Sequence, residues 1–402
     1  MAKNSKDKAY ELFQDEEEEL DFGLIKFLKN KEYDLAYEIK ESEGQNFICI
    51  CDIDYNDDFD TLTIPKTIDG LPVREIGAFA FSECPFKNAV LPEGLEIIHN
   101  DAFAECENLE KINIPGTVQT IESGAFEYCH NLVQVNFNEG LQKIEGSAFH
   151  ETKLSHINFP DSLTFIGHWS FQRTQLNSVK FGKGLKSIEY CAFDGCESLE
   201  KVTFEEGLEF IGEYAFKANS LLKTVKLPDS LITLGYGAFD NCSALESIYL
   251  GKNLAEINFS EEGETDVYSD FLYDCPKLEK IEVFPHNKFF KVIDGLLYDA
   301  EKKILIKIPT AINKNTITIP KWVEKISSHC LLDKNLKRIN IKSPSIEGMR
   351  ASGINAGTVK TISCIPDSNI ESFAKKGRIN ITPLSTAIND FLDNIVNTEK
   401  EH

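Results

Sequence analysis

The sequence predicts a mostly β solenoid of the broad α+β class: a curved stack of 22–23-residue repeats with parallel strands, capped at both ends. Three observations predict it. The pattern Ala-Phe-x-x-Cys recurs at Ala80-Phe81…Cys84, Ala102-Phe103…Cys106, Ala125-Phe126…Cys129, Ala192-Phe193…Cys196 and Ala238-Phe239…Cys242. Three variants replace the Cys (Phe149 with Thr152, Phe171 with Thr174, Phe216 with Asn219), so Phe stands at 81, 103, 126, 149, 171, 193, 216 and 239, always 22 or 23 residues apart. Around each Phe an apolar frame also repeats, as in Leu95, Ile98, Phe103, Leu109, Ile112 and Ile114, or Leu141, Ile144, Phe149, Leu154, Ile157 and Phe159.

Ile112-x-Ile114, Val135-x-Phe137, Val179-x-Phe181 and Val225-x-Leu227 alternate with period two, often closed by Pro115, Pro160, Pro228 or a glycine. Each predicts a short strand. The repeat has 23 residues where Leu falls three after the Cys position (Leu109, Leu132, Leu199, Leu222) and 22 where it falls two after (Leu154, Leu176). That variation sits in a turn, where it is tolerated. A unit this short cannot bury its apolar side alone, so stacked copies bury it against one another. At ~4.8 Å per strand, eight copies span roughly 40 Å.

The chain has 402 residues, 42 Lys+Arg and 65 Asp+Glu, for a formal charge of -23. That acid excess argues against nucleic acid as a partner, because phosphate binding rests on clustered Lys and Arg. The apolar share of 42% suits a folded soluble protein. No stretch approaches the ~18 consecutive apolar residues of a membrane helix. Met1 to Glu19 shows no secretory signal, so a cytoplasmic setting is expected. Charge is uneven: residues 1–70 carry 8 basic and 19 acidic groups, residues 301–402 carry 16 and 10.

These residues resemble the BspA-type leucine-rich repeat family, whose unit looks like Ile-Gly-x-x-Ala-Phe-x-x-Cys-x-x-Leu-x-x-Ile-x-Ile-Pro. The match is close at Ile76 to Cys84 and Ile211 to Phe216, and extends over about residues 60 to 385. The resemblance implies a leucine-rich repeat solenoid, which divides this chain into segments. Residues 1–34 form an acidic N-terminal extension, partly helical through Leu24, Phe27 and Leu28. Residues 35–75 form a cap hairpin, with its turn at 42–45, and a lead-in segment. Repeats fill 76–284, with an insertion at 260–269 before Leu272 and Cys275. Residues 285–310 are similar to the hairpin that interrupts such arrays, and 311–362 are degenerate final repeats with Leu331 at the Phe position. Residues 363–402 resemble the closing cap with a short helix.

Catalytic motifs are missing from the sequence: no His-Glu-x-x-His, nucleophile elbow, Walker loop or Gly-x-Gly-x-x-Gly occurs. A non-catalytic protein without cofactor or metal is expected. Eleven Cys forbid complete intramolecular pairing. The column Cys84, Cys106, Cys129, Cys196, Cys242 and Cys275 occupies one position of a stacked coil, where Thr and Asn replace it. A small buried turn residue explains that exchange; zinc, with four convergent ligands, does not. Cys49-x-Cys51 puts both sulfurs on one strand face, where core packing is favoured over a redox pair. Asp52-x-Asp54-x-Asn56-x-Asp58-x-Asp60 resembles the start of a calcium loop, but Asp57 and Thr63 stand where Gly and Glu are needed. A solvated strand edge is favoured.

What remains is surface. Residues flanking each inward strand position point outward: Lys111, Asn113, Gln134, Asn136, His156, Asn158, Ser178, Lys180, Lys201, Thr203, Thr224, Lys226, Ser247 and Tyr249. This face is polar and mildly basic within an acidic chain. It is the expected contact for a protein partner of a monomeric interaction module that does not insert into membranes. The family resemblance implies an alternative, a cell-surface or secreted adhesin binding host or matrix proteins.

Overall fold

The computed structural model describes residues 25–55, 59–259, 272–327, 330, 336–344, 346, 359–376 and 378–384. The acidic run 15–19, the insertion 260–269 and Leu331 lie outside them. At the N-terminus β1 (Lys26–Lys29), β2 (Tyr33–Ser42) and β3 (Gln45–Tyr55) form an antiparallel ribbon. Its tight turn, Glu43-Gly44, has φ of 53° and 75°. Positive φ at both central residues matches the twist of a two-residue hairpin. The helix expected through Phe27 and Leu28 is therefore corrected to a strand. Pairing with β2 overrides local apolar spacing in so short a segment, and Phe27 stays 58% exposed on the edge.

The coils stack through three hydrogen-bonded ladders. The longer strands form one parallel sheet from Thr61–Thr63 through Asn88–Val90, Lys111–Ile114, Gln134–Phe137, His156–Asn158 and Ser178–Lys180 to Lys201–Thr203, which takes in the foreseen strands at 112–114, 135–137 and 179–181. A separate three-stranded sheet continues with Thr224–Lys226, Ser247–Leu250 and Lys280–Val283. A second parallel sheet runs from β3 through Leu71–Ile76 and two-residue strands such as Ile97–Ile98, Thr120–Ile121 and Lys143–Ile144. Strands of two residues carry no period-two alternation, so the sequence did not announce this sheet. The N-terminal ribbon pairs its β3 with the sheet and so covers the edge of the stack.

The third ladder lies at the Ala-Phe corner. Asp101, Phe103 and Glu105 donate their N–H groups to the carbonyls of Ser123, Ala125 and Glu127 in the next coil. Gly124, Phe126 and Tyr128 repeat the pattern onto Gly146, Ala148 and His150. The chain turns this corner by adopting left-handed φ two residues before and two residues after each Phe: Asp101 and Glu105 at 54° and 57°, Trp169 and Arg173 at 55° and 57°. All four are L-residues in a region that costs them roughly 1–2 kcal/mol each, so the inter-coil hydrogen bonds and packing over-determine the corner.

Inside, Phe81, Phe103, Phe126, Phe149, Phe171, Phe193, Phe216 and Phe239 form one column of fully buried rings, with successive centroids 5.0–5.3 Å apart. A second column, Phe137, Phe159, Phe181 and Phe204, meets it edge-on, as at Phe159–Phe171 with 5.4 Å and 82°. Edge-to-face contact aligns the positive rim of one ring with the negative face of the other. The Cys column is buried, and its exchange with Thr and Asn has a cause beyond size. Cys106, Cys129, Cys196, Cys242 and Cys275 donate to the carbonyl of the Phe one coil earlier at 3.0–3.4 Å. Thr152 and Thr174 donate instead to the Phe carbonyl of their own coil, and Asn219 reaches both. Each residue type is a compact donor.

Beyond the repeats, Phe290–Ile293, Leu296–Asp299 and Ile304–Lys307 pair antiparallel, and the last adds Lys325–Ile326 in parallel. Thr316–Ile319, Arg338–Ile341, Thr361–Cys364 and Asn380–Pro383 form a final parallel sheet, over a core cluster it shares with Leu296, Tyr298 and Leu305 of the hairpin. Helix α1 (Asn369–Lys376) seals that end with Ile370 and Ala374 inward. Ser368 caps it, and Glu371 reaches back to the Asp367 N–H at 2.8 Å.

The N-terminal cap is tied down by charge. Lys40 Nζ on β2 lies 3.1 Å from Glu75, and His99 bridges Glu75 at 3.1 Å and Glu122 at 3.0 Å. The Glu75 hydrogen bond, joined by Glu122, holds the His99 imidazolium up to about 9 despite its burial. A raised histidine stabilises the fold fully below its unfolded value of about 6.5, and that contribution fades as pH rises through about 9. Urea unfolding is therefore expected to show wild type losing on the order of 1 kcal/mol relative to His99→Gln between about pH 6 and pH 9.5. Parallel pH profiles for the two proteins would remove this role.

Candidate binding face

Alternation along each long strand decides what faces solvent. Ile112 and Ile114 are buried while Lys111 and Asn113 are exposed, and Ile157 is buried between exposed His156 and Asn158. Parallel register then converts alternation into rows. Lys111, Gln134, His156, Ser178 and Lys201 are consecutive partners in one row. Asn113 pairs with Asn136, and Asn158, Lys180 and Thr203 are partners in the adjacent row. On the three-stranded continuation, Thr224 partners Ser247 and Lys226 partners Tyr249. The structure therefore places all fourteen sequence-predicted residues on one side of these strands, each exposed or half-exposed.

Over the strands Lys111–Ile114, Gln134–Phe137 and His156–Asn158 lies an open depression of about 460 Å³, floored by Gln134, Asn136, His156 and Asn158. Its polar groups are partly organised by one another. Gln134 Nε2 donates to Asn136 Oδ1 at 3.3 Å, and Ser155 Oγ meets His156 Nδ1 at 3.0 Å. Lys180 reaches Glu205 at 3.4 Å, and Lys226 sits 5.7 Å over the Tyr249 ring. Lys111 and Lys201 extend the cationic character along the row. Such a surface offers many short donors and acceptors in fixed register, suited to a polar partner surface.

Other sequence candidates fall elsewhere. Asp52 and Asp54 are exposed on β3, and Asp60 pairs with Lys87 at 2.8 Å; residues 56–58 lie outside the described residues. Asp52 and Asp54 thus stand on extended strand, whereas the carboxylates of a calcium loop come from a turn. In the Cys column, burial pushes Cys196 and Cys275 up to about 12 and Cys106 and Cys242 well above the ordinary thiol value. The column lies in the core. Cys49 is buried and Cys51 half-buried beside Glu38, away from the binding face. A second depression, of about 550 Å³, lies between Val283–Pro285, Phe290–Ile293 and Trp322. No periodic pattern announces it, since the interrupting hairpin shapes it. No described helix is long and apolar enough to cross a membrane.

Comparison with known proteins places this geometry. The family model "BspA type Leucine rich repeat region" matches in six copies over residues 54–177, 166–292 and 250–351. No curated protein matches the chain significantly. Among solved structures, a leucine-rich repeat protein from Bacteroides ovatus superimposes with a TM-score of 0.55 at 21% identity, over 89% of this chain and 100% of that one. The pneumococcal vaccine antigen PcpA gives 0.46 at 20% identity, over 90% and 99%. A leucine-rich cell surface protein from Faecalibacterium prausnitzii gives 0.46 at 17%, over 90% and 95%. The first of these shares the solenoid fold.

Proposed function

The chain belongs to the BspA-type leucine-rich repeat family, and from that membership we propose that it is a non-catalytic module binding a protein partner through its strand-lined face. Leucine-rich repeat proteins are generally interaction scaffolds. One observation supports this particular face above all: two rows of polar and cationic side chains, in strand register, run along a strongly acidic molecule and floor the open 460 Å³ depression. A rigid strand scaffold holds those groups before the partner arrives, so little ordering entropy is lost on binding.

The test uses the full chain as bait against an extract of its source cells. Wild type is expected to retain a defined protein that the combined variant His156→Asp, Lys180→Glu, Tyr249→Ala loses, with the melting temperature unchanged. Lys143→Glu, on the second sheet, is the control and keeps the partner. Equal capture by the combined variant would reject this face.

A further inference from the structure

The N-terminal cap carries a cluster that the binding face does not use. Glu38 on β2 lies directly opposite Cys49 on β3, and on the other side Cys49 is registered with Glu75. Both pairings of β3 shift register here: Tyr37 faces Ile50 while Ala36 faces Asp52, leaving Cys51 outside the ladder. The second shift falls between Ile48 and Cys49. Bulges re-aim side chains and concentrate beside functional sites. Their result is that one oxygen of Glu38 and the sulfurs of Cys49 and Cys51 all lie within 4.8 Å of one another. Gly77 keeps the space open, since a Cβ there would sit 3.4 Å from the Cys49 sulfur and 2.9 Å from the Ile50 carbonyl oxygen.

We propose that Glu38, Cys49 and Cys51 form a binding site for one borderline-soft divalent cation of the Zn²⁺ type. Two thiolates and a carboxylate are the donor set such ions take, and tetrahedral coordination at about 2.0–2.3 Å puts ligand atoms roughly 3.5–3.8 Å apart. Side-chain rotation of about 1 Å closes the observed separation to that value. Cys51 is half-buried, so solvent reaches the site and water can complete the fourth position.

The electrostatics agree. Three anionic ligands and a dication leave one negative charge, and the Lys40 ammonium, 3.2 Å from Glu38, balances it. Lys40 and His99 also hold Glu75 in ion pairs, so Glu38, whose oxygen already lies within 4.8 Å of both sulfurs, is the carboxylate placed to be the third ligand. Because thiolates are the ligands, metal binding would release the thiol protons.

The test is titration of the reduced, metal-free full chain with Co²⁺, a spectroscopic stand-in for Zn²⁺. One equivalent is expected to give a sulfur-to-cobalt charge-transfer band and tetrahedral visible absorption, both removed by competing Zn²⁺. Cys51→Ser is expected to abolish the band, and Glu38→Gln to weaken binding about tenfold or more. Zn²⁺ should raise the melting temperature of wild type and not of Cys51→Ser. Absence of the band in wild type, or an unchanged band in Cys51→Ser, would overturn the site. If Cys51→Ser does not fold, Glu38→Gln decides: it keeps both thiols, and undiminished affinity there rejects the proposal.

Discussion

Replacing Phe149 by alanine is expected to lower the unfolding free energy by about 3–5 kcal/mol, the cost of deleting a fully buried ring whose void stays open. Relaxation is blocked on three sides. The ring stacks on Phe126 at 5.1 Å and Phe171 at 5.3 Å, and Phe137 meets it edge-on at 5.6 Å. Each neighbour is itself held by the next coil, so none can move in without opening a gap behind it. Phe149→Leu should cost less than half as much, because Leu272 already serves at the equivalent position, buried to 1%. Urea unfolding of the two variants checks this, and a lowered slope for the alanine variant would further show the array splitting at that coil. A cost below that of a surface substitution would mean that the ring column is not a cooperative core.

Gly140→Ala is expected to cost on the order of 3 kcal/mol or more, and Gly94→Ala only about 1 kcal/mol. Both occupy the turn before a buried Leu, and both have φ values that L-residues avoid: 122° and 108°. The difference is the neighbouring coil. A Cβ at Gly140 would fall on the carbonyl oxygen of Gly116, whereas one at Gly94 meets nothing within 4 Å. Backbone cannot swing aside as a flexible side chain can, so the clash adds to the φ strain at 140 alone. Melting curves of the pair separate the two contributions. Equal losses would show that close coil approach adds nothing there.

The repeat frame was legible because Phe, Leu and Ile recur at positions where a stack must bury them, so Phe103, Ile112 and Ile114 could be placed inward from spacing alone. The outward rows followed from the same alternation: once Ile157 is inside, His156 and Asn158 must be outside. Less local features were hidden. The strands Ile97–Ile98 and Thr120–Ile121 are too short to show a period. Most left-handed corners fall on residues other than glycine, such as Asp101, Trp169 and Arg173, because inter-coil bonds impose them. Strand pairing at 26–29 overrode an apolar spacing that reads equally well as helix. Cys49 and Cys51 were visible as a pair, but their approach to Glu38 depends on register shifts that one strand's sequence does not encode. The depression over Gln134 and His156 depends on how neighbouring coils sit, which no single repeat reveals.

The hydrogen bonds between coils run along the stack, and this gives the molecule a mechanical character. Tension applied to its ends loads the coil interfaces in series, so the weakest one yields first and sheds a whole coil before its neighbours give way. Between Lys201–Thr203 and Thr224–Lys226 the long-strand ladder is interrupted, while the second sheet continues there through Phe210–Ile211 and Thr233–Gly235. That interface therefore resists pulling with fewer bonds than those before it. A protein anchored at one end and gripped along its face would extend stepwise from that point, keeping the coils on either side folded.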